Sequence, residues 1–261
     1  MGLLVEELTF GYHCFSVLKG VDLAVEPGNL VCVLGKNGAG KSTLFRCILG
    51  LLKGYGGRVL VDGTDVRTLK ERELARKIAY IPQNHDSAFA FSVLDMVLMG
   101  TTSSMRGFSS PGKEQREKAM EALALVHMEH MAHRSYGHIS GGEQQLVLIA
   151  RAIAQQAGIL IMDEPCANLD YGNQARVMEE LKRLAGKGYL IVQSTHSPDQ
   201  AFLYADQAAV LLDGKVQAFG KPGEVLTEEL LQTLYGIPIR LIEAGDRKLC
   251  MPENKMSSGR Q

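Results

Sequence analysis

A glycine-rich run near the start of the sequence has the composition of a phosphate-binding loop. Residues 35 to 42 satisfy the pattern G-x-x-x-x-G-K-S, directly after the apolar run Leu30–Leu34 and before a stretch with helical character. Glycines let backbone N–H groups close around phosphate oxygens, and the start of a helix adds partial positive charge. We therefore predict a nucleotide site formed by Gly35, Lys36, Asn37, Gly38, Ala39, Gly40, Lys41, Ser42 and Thr43. The alternative is a glycine-rich turn that binds nothing.

Two acidic residues, Asp163 and Glu164, follow the apolar run Ile159–Met162, which is typical of a buried strand. Beside a phosphate loop, Asp163 is predicted to enter the coordination shell of Mg²⁺ together with the Ser42 hydroxyl, while Lys41 reaches the β- and γ-phosphates. Glu164 is then placed to polarise the attacking water, a role that contributes about 10²–10⁴-fold to a rate. The alternative is a strand that ends in two solvated acids.

A second candidate phosphate-binding element, Ser140-Gly141-Gly142-Glu143, lies further along the chain. Serine and glycine amides at the start of a helix form an anion site. Ser140-x-x-Glu143 is also a capping box, which is the structural alternative, and both readings are compatible. Two phosphate-binding elements in one chain suggest an ATPase whose active sites are shared between two copies.

Taken together, these motifs resemble those of the ATP-binding cassette (ABC) family, over nearly everything from Leu3 to about Gly236. The run 139–143 is similar to the family's signature, usually Leu-Ser-Gly-Gly-Gln, with Glu143 in place of glutamine. The resemblance implies an α/β fold: a P-loop NTPase with a RecA-like parallel-sheet core, an N-terminal antiparallel β subdomain and an inserted α-helical subdomain. It places the cassette at residues 1–236, with the helical subdomain at about 84–155. Residues 237–261 are expected to form a partly disordered extension.

The resemblance also assigns roles to single residues. Tyr12 would stack on adenine, Gln83 would contact Mg²⁺ and the attacking water, and His196 would contact the γ-phosphate. The signature residues would contact ATP held by the opposite subunit, and Asp170 would lie in the loop that joins the two sites. Each of these three residues also has an alternative without a role in nucleotide binding: Tyr12 as a packed side chain, Gln83 as a solvated loop residue and His196 as a structural histidine. Ala167-Asn168 stands where the family often has Ser-Ala.

The segment 83–100 is similar to importers of metal chelates, a group that handles iron–siderophore, haem, cobalamin, and molybdate or tungstate. Phe89 and Phe91 alternate within it and could line a groove for a short helix of a membrane partner. Alternatively, both phenylalanines belong to the core.

Composition restricts the classes of partner. The net charge of −1 gives no electrostatic case for nucleic acid. The five scattered cysteines have no Cys-x-x-Cys pair, and they are typical of reduced thiols in a cytosolic protein. We find neither a signal peptide nor an apolar run long enough to span a bilayer, so another chain would have to provide the span.

The preferred hypothesis is therefore an ATP-hydrolysing subunit, peripheral on the cytoplasmic side of the membrane, that closes as a homodimer to drive an importer. Its partners would be integral membrane permease subunits and, indirectly, an extracytoplasmic substrate-binding protein. The alternative is a soluble ATPase of the same fold that acts in iron–sulfur cluster assembly.

The hydrophobic pattern also predicts the main elements. Strands are expected at 3–10 and 17–25 with a turn at Gly11, and at 30–34, 78–81, 159–162 and 190–192. Asp62-Gly63 and Asp213-Gly214 predict hairpins. Helices are expected at 42–49, over much of 93–155, and at 224–235, while 101–112 is predicted to be a loop and 245–261 to be polar and disordered.

Overall fold

The computed structural model describes residues 2–83, 91–104, 111–245 and 247–253. In this part of the chain the strands are β1 (Leu3–Tyr12), β2 (Phe15–Val25), β3 (Leu30–Leu34), β4 (Gly56–Val61), β5 (Thr64–Asp65), β6 (Ile78–Ile81), β7 (Ile159–Met162), β8 (Leu190–Thr195), β9 (Gln207–Leu212), β10 (Lys215–Gly220), β11 (Ile239–Ala244) and β12 (Arg247–Pro252). The helices are α1 (Lys41–Ile48), α2 (Glu71–Ala75), α3 (Val93–Leu98), α4 (Lys113–Leu125), α5 (Gly141–Ala154), α6 (Tyr171–Gly186), α7 (Pro198–Tyr204), α8 (Pro222–Val225) and α9 (Glu228–Tyr235). Short 3₁₀ turns lie at Val66–Thr68, Met99–Ser104, Glu129–Met131 and Tyr136–His138.

The centre of the fold is a sheet with strand order β10-β9-β3-β8-β7-β6. Strands β9, β3, β8, β7 and β6 run parallel, and β10 joins the edge antiparallel to β9. Residues of β3, β7 and β8 are buried along their whole length, as expected for strands covered on both faces.

The two faces of the central sheet enter different hydrophobic clusters. Along β7, Ile159 and Ile161 pack with the antiparallel sheet β2-β1-β4-β5 and with α1, whereas Leu160 and Met162 pack with the helices α3 to α6. This alternation follows from the two-residue period of a strand. The helices α3, α4 and α5 lie between β6 and β7 in sequence, in the segment predicted to be an inserted helical subdomain.

Most predicted elements are confirmed, and four are corrected. The turn between β1 and β2 lies at His13 and Cys14, not at Gly11, which is paired with Ser16 inside the hairpin. A Cβ at position 11 would lie 2.6 Å from the Phe15 carbonyl oxygen, so close backbone approach explains this glycine. The left-handed backbone of the turn is instead adopted by His13, with φ 52°.

The remaining corrections concern a loop and the carboxyl-terminal region. Residues 101–104, expected to begin the loop at 101–112, belong instead to the 3₁₀ turn Met99–Ser104. The predicted helix 224–235 is two helices, because Thr227 starts a new one by accepting a hydrogen bond from the Leu230 amide at 3.2 Å. Residues 239–252, expected to be partly disordered, contain the antiparallel hairpin β11–β12, with Leu241 opposite Cys250. Leu241 and Cys250 pack against the cluster beneath β3 and β9, and this apolar contact offsets the polar composition of the segment.

Gly100 gives a test of the packing between the helical segments. A Cβ at this buried position would lie 2.0 Å from the Arg151 carbonyl oxygen in α5. We expect Gly100→Ala to lower the free energy of unfolding by about 1–3 kcal/mol, because the backbone of α5 has to shift. Gly186→Ala is the matched control, since nothing lies within 4 Å of its Cβ position and the site is helical. Urea unfolding of both variants measures the difference, and equal midpoints would contradict the packing described.

Candidate functional site

The predicted phosphate loop connects β3 to α1. Its course requires left-handed backbone at Gly38, with φ 82°, and at Gly40, with φ 103°. A Cβ at Gly40 would also lie 3.0 Å from Val17 Cγ1, so the loop is packed against β2. These constraints explain why glycine occupies both positions.

The Lys41 side chain lies inside the curve of this loop. Its ammonium group donates a hydrogen bond of 2.7 Å to the Gly35 carbonyl and a longer one of 3.4 Å to the Lys36 carbonyl. The residue is 6% exposed, a degree of burial that lysine rarely reaches unless its ammonium group is paired. The loop therefore holds one buried positive charge at the start of α1, where the N–H groups of Ser42 and Thr43 also add to the positive potential.

The two acids after β7 are tied to the end of β8 by Ser194. The Ser194 hydroxyl donates to Asp163 Oδ1 at 2.5 Å and accepts the Glu164 amide hydrogen at 2.9 Å. The Asp163 amide donates to the Ile81 carbonyl at 3.0 Å, which fixes the same residue to β6. Ser194 was not predicted as a site residue, although a polar run, Gln193–Thr195, at the end of a strand that begins with three apolar residues is a recognisable signal.

Glu164 is where the separate motifs meet. Its carboxylate lies 3.5 Å from Lys41 Nζ, 3.6 Å from His196 Nδ1, and accepts a hydrogen bond from Gln83 Nε2 at 3.3 Å. The backbone of Glu164 is left-handed, with φ 47°, a conformation that costs a non-glycine residue about 1–3 kcal/mol. The structure thus brings Lys41, Gln83, Glu164 and His196 into one cluster.

The donor set beside this cluster suits Mg²⁺. Ser42, Asp163 and Gln83 offer hydroxyl, carboxylate and amide oxygens, the hard ligands that Mg²⁺ prefers, and Asp163 is buried at 7% exposure with its carboxylate oriented by Ser194. Within the described residues no cluster of three or more His, Cys, Asp or Glu side chains could hold a metal by itself. The residues therefore fit an ion that completes its shell with phosphate and water.

The Ser140–Glu143 element forms the predicted capping box at the start of α5. Glu143 Oε2 accepts from the Ser140 amide at 2.7 Å and from the Ser140 hydroxyl at 2.8 Å, and the Glu143 amide donates to Ser140 Oγ at 3.3 Å. Donation from the Ser140 amide, then from its hydroxyl, lowers the pKa of Glu143, and Arg176 and Arg134 lower it further. The carboxylate is therefore already held by hydrogen bonds from Ser140, and its charge is partly offset by the two arginines.

Asp170 caps α6 and lies close to the Ser140–Glu143 element. Its carboxylate accepts from the Asn173 amide and from Asn173 Nδ2, both at 2.8 Å. The Asn173 side chain fills the space above Gly142, where a Cβ would come within 2.3 Å of its Oδ1. A small cavity connects this region with the cluster around Glu164; its lining includes Gln83, Gly141, Glu164 and Asn168.

Tyr12 lies at the end of β1 and is 37% exposed. Its ring packs edge-to-face on Phe10, with centroids 5.0 Å apart. Its partner across the hairpin, Phe15, is 78% exposed and was not predicted as a site residue. Because Val17 of β2 touches Gly40, the hairpin that carries both aromatic rings adjoins the phosphate loop.

Residues of the metal-chelate segment are described only in part. Phe89 lies outside the described residues, as do its neighbours from 84 to 90. Phe91 is half-buried against the helical cluster, and its carbonyl accepts a hydrogen bond from the Tyr136 amide at 2.9 Å. In the described ranges, no helix is both long enough and apolar enough to span a bilayer.

Comparison with known proteins gives a consistent set of relatives. A profile of the family described as "ABC transporter" matches residues 18–167. A Haemophilus influenzae protein named as an uncharacterized ABC transporter ATP-binding protein is 43% identical over 239 residues, which cover 90% of this chain and 89% of that one. The hemin import ATP-binding protein HmuV of Myxococcus xanthus is 35% identical over 91% of this chain and 92% of its own.

A solved structure of a metal-chelate type ABC transporter in an inward-facing conformation is also similar. It superimposes with a TM-score of 0.85 at 32% identity, over 97% of this chain and 98% of that one. The fold is therefore shared with this structure, and nine-tenths or more of the chain is matched by each of these relatives.

Variants of Glu143 separate its capping role from its charge. We expect Glu143→Gln to keep the acceptor oxygen and to keep or raise ATPase turnover. Glu143→Ala should lower the free energy of unfolding by about 0.5–1.5 kcal/mol, because the hydrogen bonds that its carboxylate accepts from Ser140 are lost.

The pH dependence of these variants has a defined sign. Because the pKa of Glu143 is lowered in the folded state, its stabilising effect is present above the ordinary carboxyl pKa and is lost as pH falls through the folded value. The difference in free energy of unfolding between the wild type and Glu143→Ala should therefore become smaller at acid pH. Thermal unfolding of both proteins from pH 7 to pH 3 measures this difference. For Glu143→Gln, a large loss of ATPase turnover would contradict the prediction that turnover is kept or raised.

Proposed function

This chain belongs to the ABC transporter family of ATP-binding subunits, and on that premise we propose that it hydrolyses ATP to power a membrane importer for a metal chelate or a related oxyanion. The observation that carries the proposal is the cluster at Glu164. A buried ammonium group, a side-chain amide and an imidazole surround one carboxylate at the end of a buried strand.

Each member of this cluster has a chemical role in the proposed reaction. The backbone N–H groups of the loop and Lys41 would bind the triphosphate, whose developing charge they stabilise. Glu164 would accept a proton from the attacking water, held in place by Gln83. His196, with its side chain 62% exposed, would donate to the γ-phosphate. When bound by Ser42, Asp163 and Gln83, Mg²⁺ would neutralise charge on the phosphate oxygens.

The position of the signature favours a shared site. The capping box uses the amides of Ser140 and Glu143, whereas the amides of Gly141 and Gly142 donate to no other group in the described part of the chain. Two N–H groups in the first turn of α5 are therefore free to bind an anion. We infer that they contact ATP held by a second copy, so that a homodimer closes over two nucleotides.

The partners follow from the function. The relatives reported above are named for import or for a transporter, and we propose that this chain likewise acts on the cytoplasmic face of the membrane. Integral permease subunits would provide the pathway, and an extracytoplasmic binding protein would deliver the cargo. None of those relatives is named for iron–sulfur cluster assembly, so that alternative is not carried further.

Loss of the Glu164 carboxylate tests the mechanism. Glu164→Gln should lower ATP hydrolysis by about 10²-fold or more, because the general base is removed, while ATP binding persists. With Mg-ATP, the variant should elute as a dimer in size-exclusion chromatography with light scattering. Lys41→Ala is the matched control and should stay monomeric, because it loses the phosphate contact. If Glu164→Gln stayed monomeric at saturating Mg-ATP, the shared site would be refuted.

Phe91 tests the link to a membrane partner. We expect Phe91→Asp to leave ATP binding unchanged and to reduce cargo uptake in reconstituted vesicles by at least about tenfold, because a charged side chain would disrupt an apolar groove. Since Phe91 is half-buried, thermal unfolding of the variant must show that it is folded. If basal ATPase and uptake fell together, Phe91 would be a core residue only.

A further inference from the structure

The carboxyl-terminal segment folds back onto the loop that carries His196. The Tyr235 hydroxyl, in the last turn of α9, donates a hydrogen bond of 2.9 Å to the His196 carbonyl oxygen. Burial raises the pKa of Tyr235 well above its usual range, so the hydroxyl stays protonated and remains a donor. This is a direct bond between the backbone of a site residue and a side chain 39 positions away.

A second contact fixes the helix that follows His196. The Cys250 amide of β12 donates to Asp199 Oδ1 at 2.7 Å, in the first turn of α7. The hairpin is in turn tied to α9, because Glu228 Oε1 accepts from the Leu241 amide at 2.7 Å. The hairpin, α9 and the start of α7 thus form one packed unit.

A third contact brings the same unit to the phosphate loop. Gly236 ends α9 in the left-handed conformation, with φ 72°. A Cβ at this position would lie 3.6 Å from Lys36 Nζ, so the end of α9 adjoins the loop that is proposed to hold phosphate.

The His196 side chain itself has little support. It is 62% exposed, and its contact with Glu164 spans 3.6 Å. The neighbouring Ser197 amide donates to Thr195 Oγ1 at 3.1 Å, which shapes the loop but does not hold the His196 carbonyl. The direction of the imidazole therefore depends on how firmly the backbone at His196 is fixed.

We propose that Tyr235 is a positioning residue for His196, holding its backbone so that the imidazole is presented to the nucleotide. The proposal rests on the proposed function for its effect on turnover, but the contact can be tested without turnover. Under this proposal, α9, which follows all of the nucleotide-binding motifs in the sequence, contributes to the rate of ATP hydrolysis.

Tyr235→Phe removes the donor and keeps the ring. We expect kcat for ATP hydrolysis to fall about three- to tenfold, the size typical of one lost hydrogen bond, with KM for ATP unchanged within about twofold. Tyr204→Phe is the matched control, because Tyr204 ends α7 and its hydroxyl makes no hydrogen bond in the described part of the chain, so both constants should stay unchanged. Activities are compared at a temperature at which both variants are folded.

A second measurement follows the histidine directly. The ¹³Cε1 resonance of His196, assigned by its loss in His196→Ala, should move in Tyr235→Phe and stay in place in Tyr204→Phe. If the wild type hydrolyses ATP and kcat of Tyr235→Phe is unchanged, the proposal is overturned. A His196 resonance that does not move in Tyr235→Phe would also overturn it. A raised KM with unchanged kcat would also overturn it. A wild type without ATPase activity would instead refute the proposed function.

Discussion

The site depends on the alignment of parallel strands at one edge of the central sheet. Leu34, the last residue of β3, pairs with Thr195 of β8, and Met162, the last residue of β7, pairs with Ile81 and with Gln193. The strands therefore end within a few residues of one another. Because parallel strands share the direction of their carboxyl ends, the phosphate loop, the two acids, His196 and Gln83 all emerge at this edge.

Local bonds then convert this proximity into a defined geometry. Ser194 accepts from the Glu164 amide and donates to Asp163, so the end of β8 sets the backbone and the side chain of the neighbouring acids. The left-handed backbone at Glu164 is maintained by that bond and by the packing around it. A conformation that is unfavourable in isolation is thereby fixed, and the carboxylate points at Lys41 rather than into solvent.

The sequence was sufficient for features that depend on neighbours along the chain. The buried strands β3, β6 and β7 follow from short apolar runs, and the turn at Asp213-Gly214 follows from its residue types. The capping box at Ser140 was predicted for the same reason, since its partners are three residues apart.

Features set by distant contacts could not be predicted in this way. The hairpin β11–β12 has a polar composition, and it is ordered because Leu241 and Cys250 pack on an apolar surface formed by residues of β3, β9 and α9. The contact between Tyr235 and His196 and the role of Ser194 likewise depend on tertiary packing. The roles expected of Gln83 and His196 came from resemblance to a family, because a glutamine or histidine that follows a strand has no signal of its own, whereas the roles of Lys41 and Glu164 follow from their motifs.

The signature illustrates how one short motif can serve both stability and binding. A helix start leaves four N–H groups without partners inside the helix. At α5, these are the amides of Ser140, Gly141, Gly142 and Glu143. The Ser140 amide donates to Glu143 Oε2 and the Glu143 amide to Ser140 Oγ, while those of Gly141 and Gly142 donate to no group in the described part of the chain. A side chain at Gly142 would collide with Asn173, so glycine at this position allows α6 to pack close to the start of α5. Capping at this helix therefore does not use the Gly141 and Gly142 amides: it fixes the turn and leaves these two donors for the anion contact that the proposed function requires.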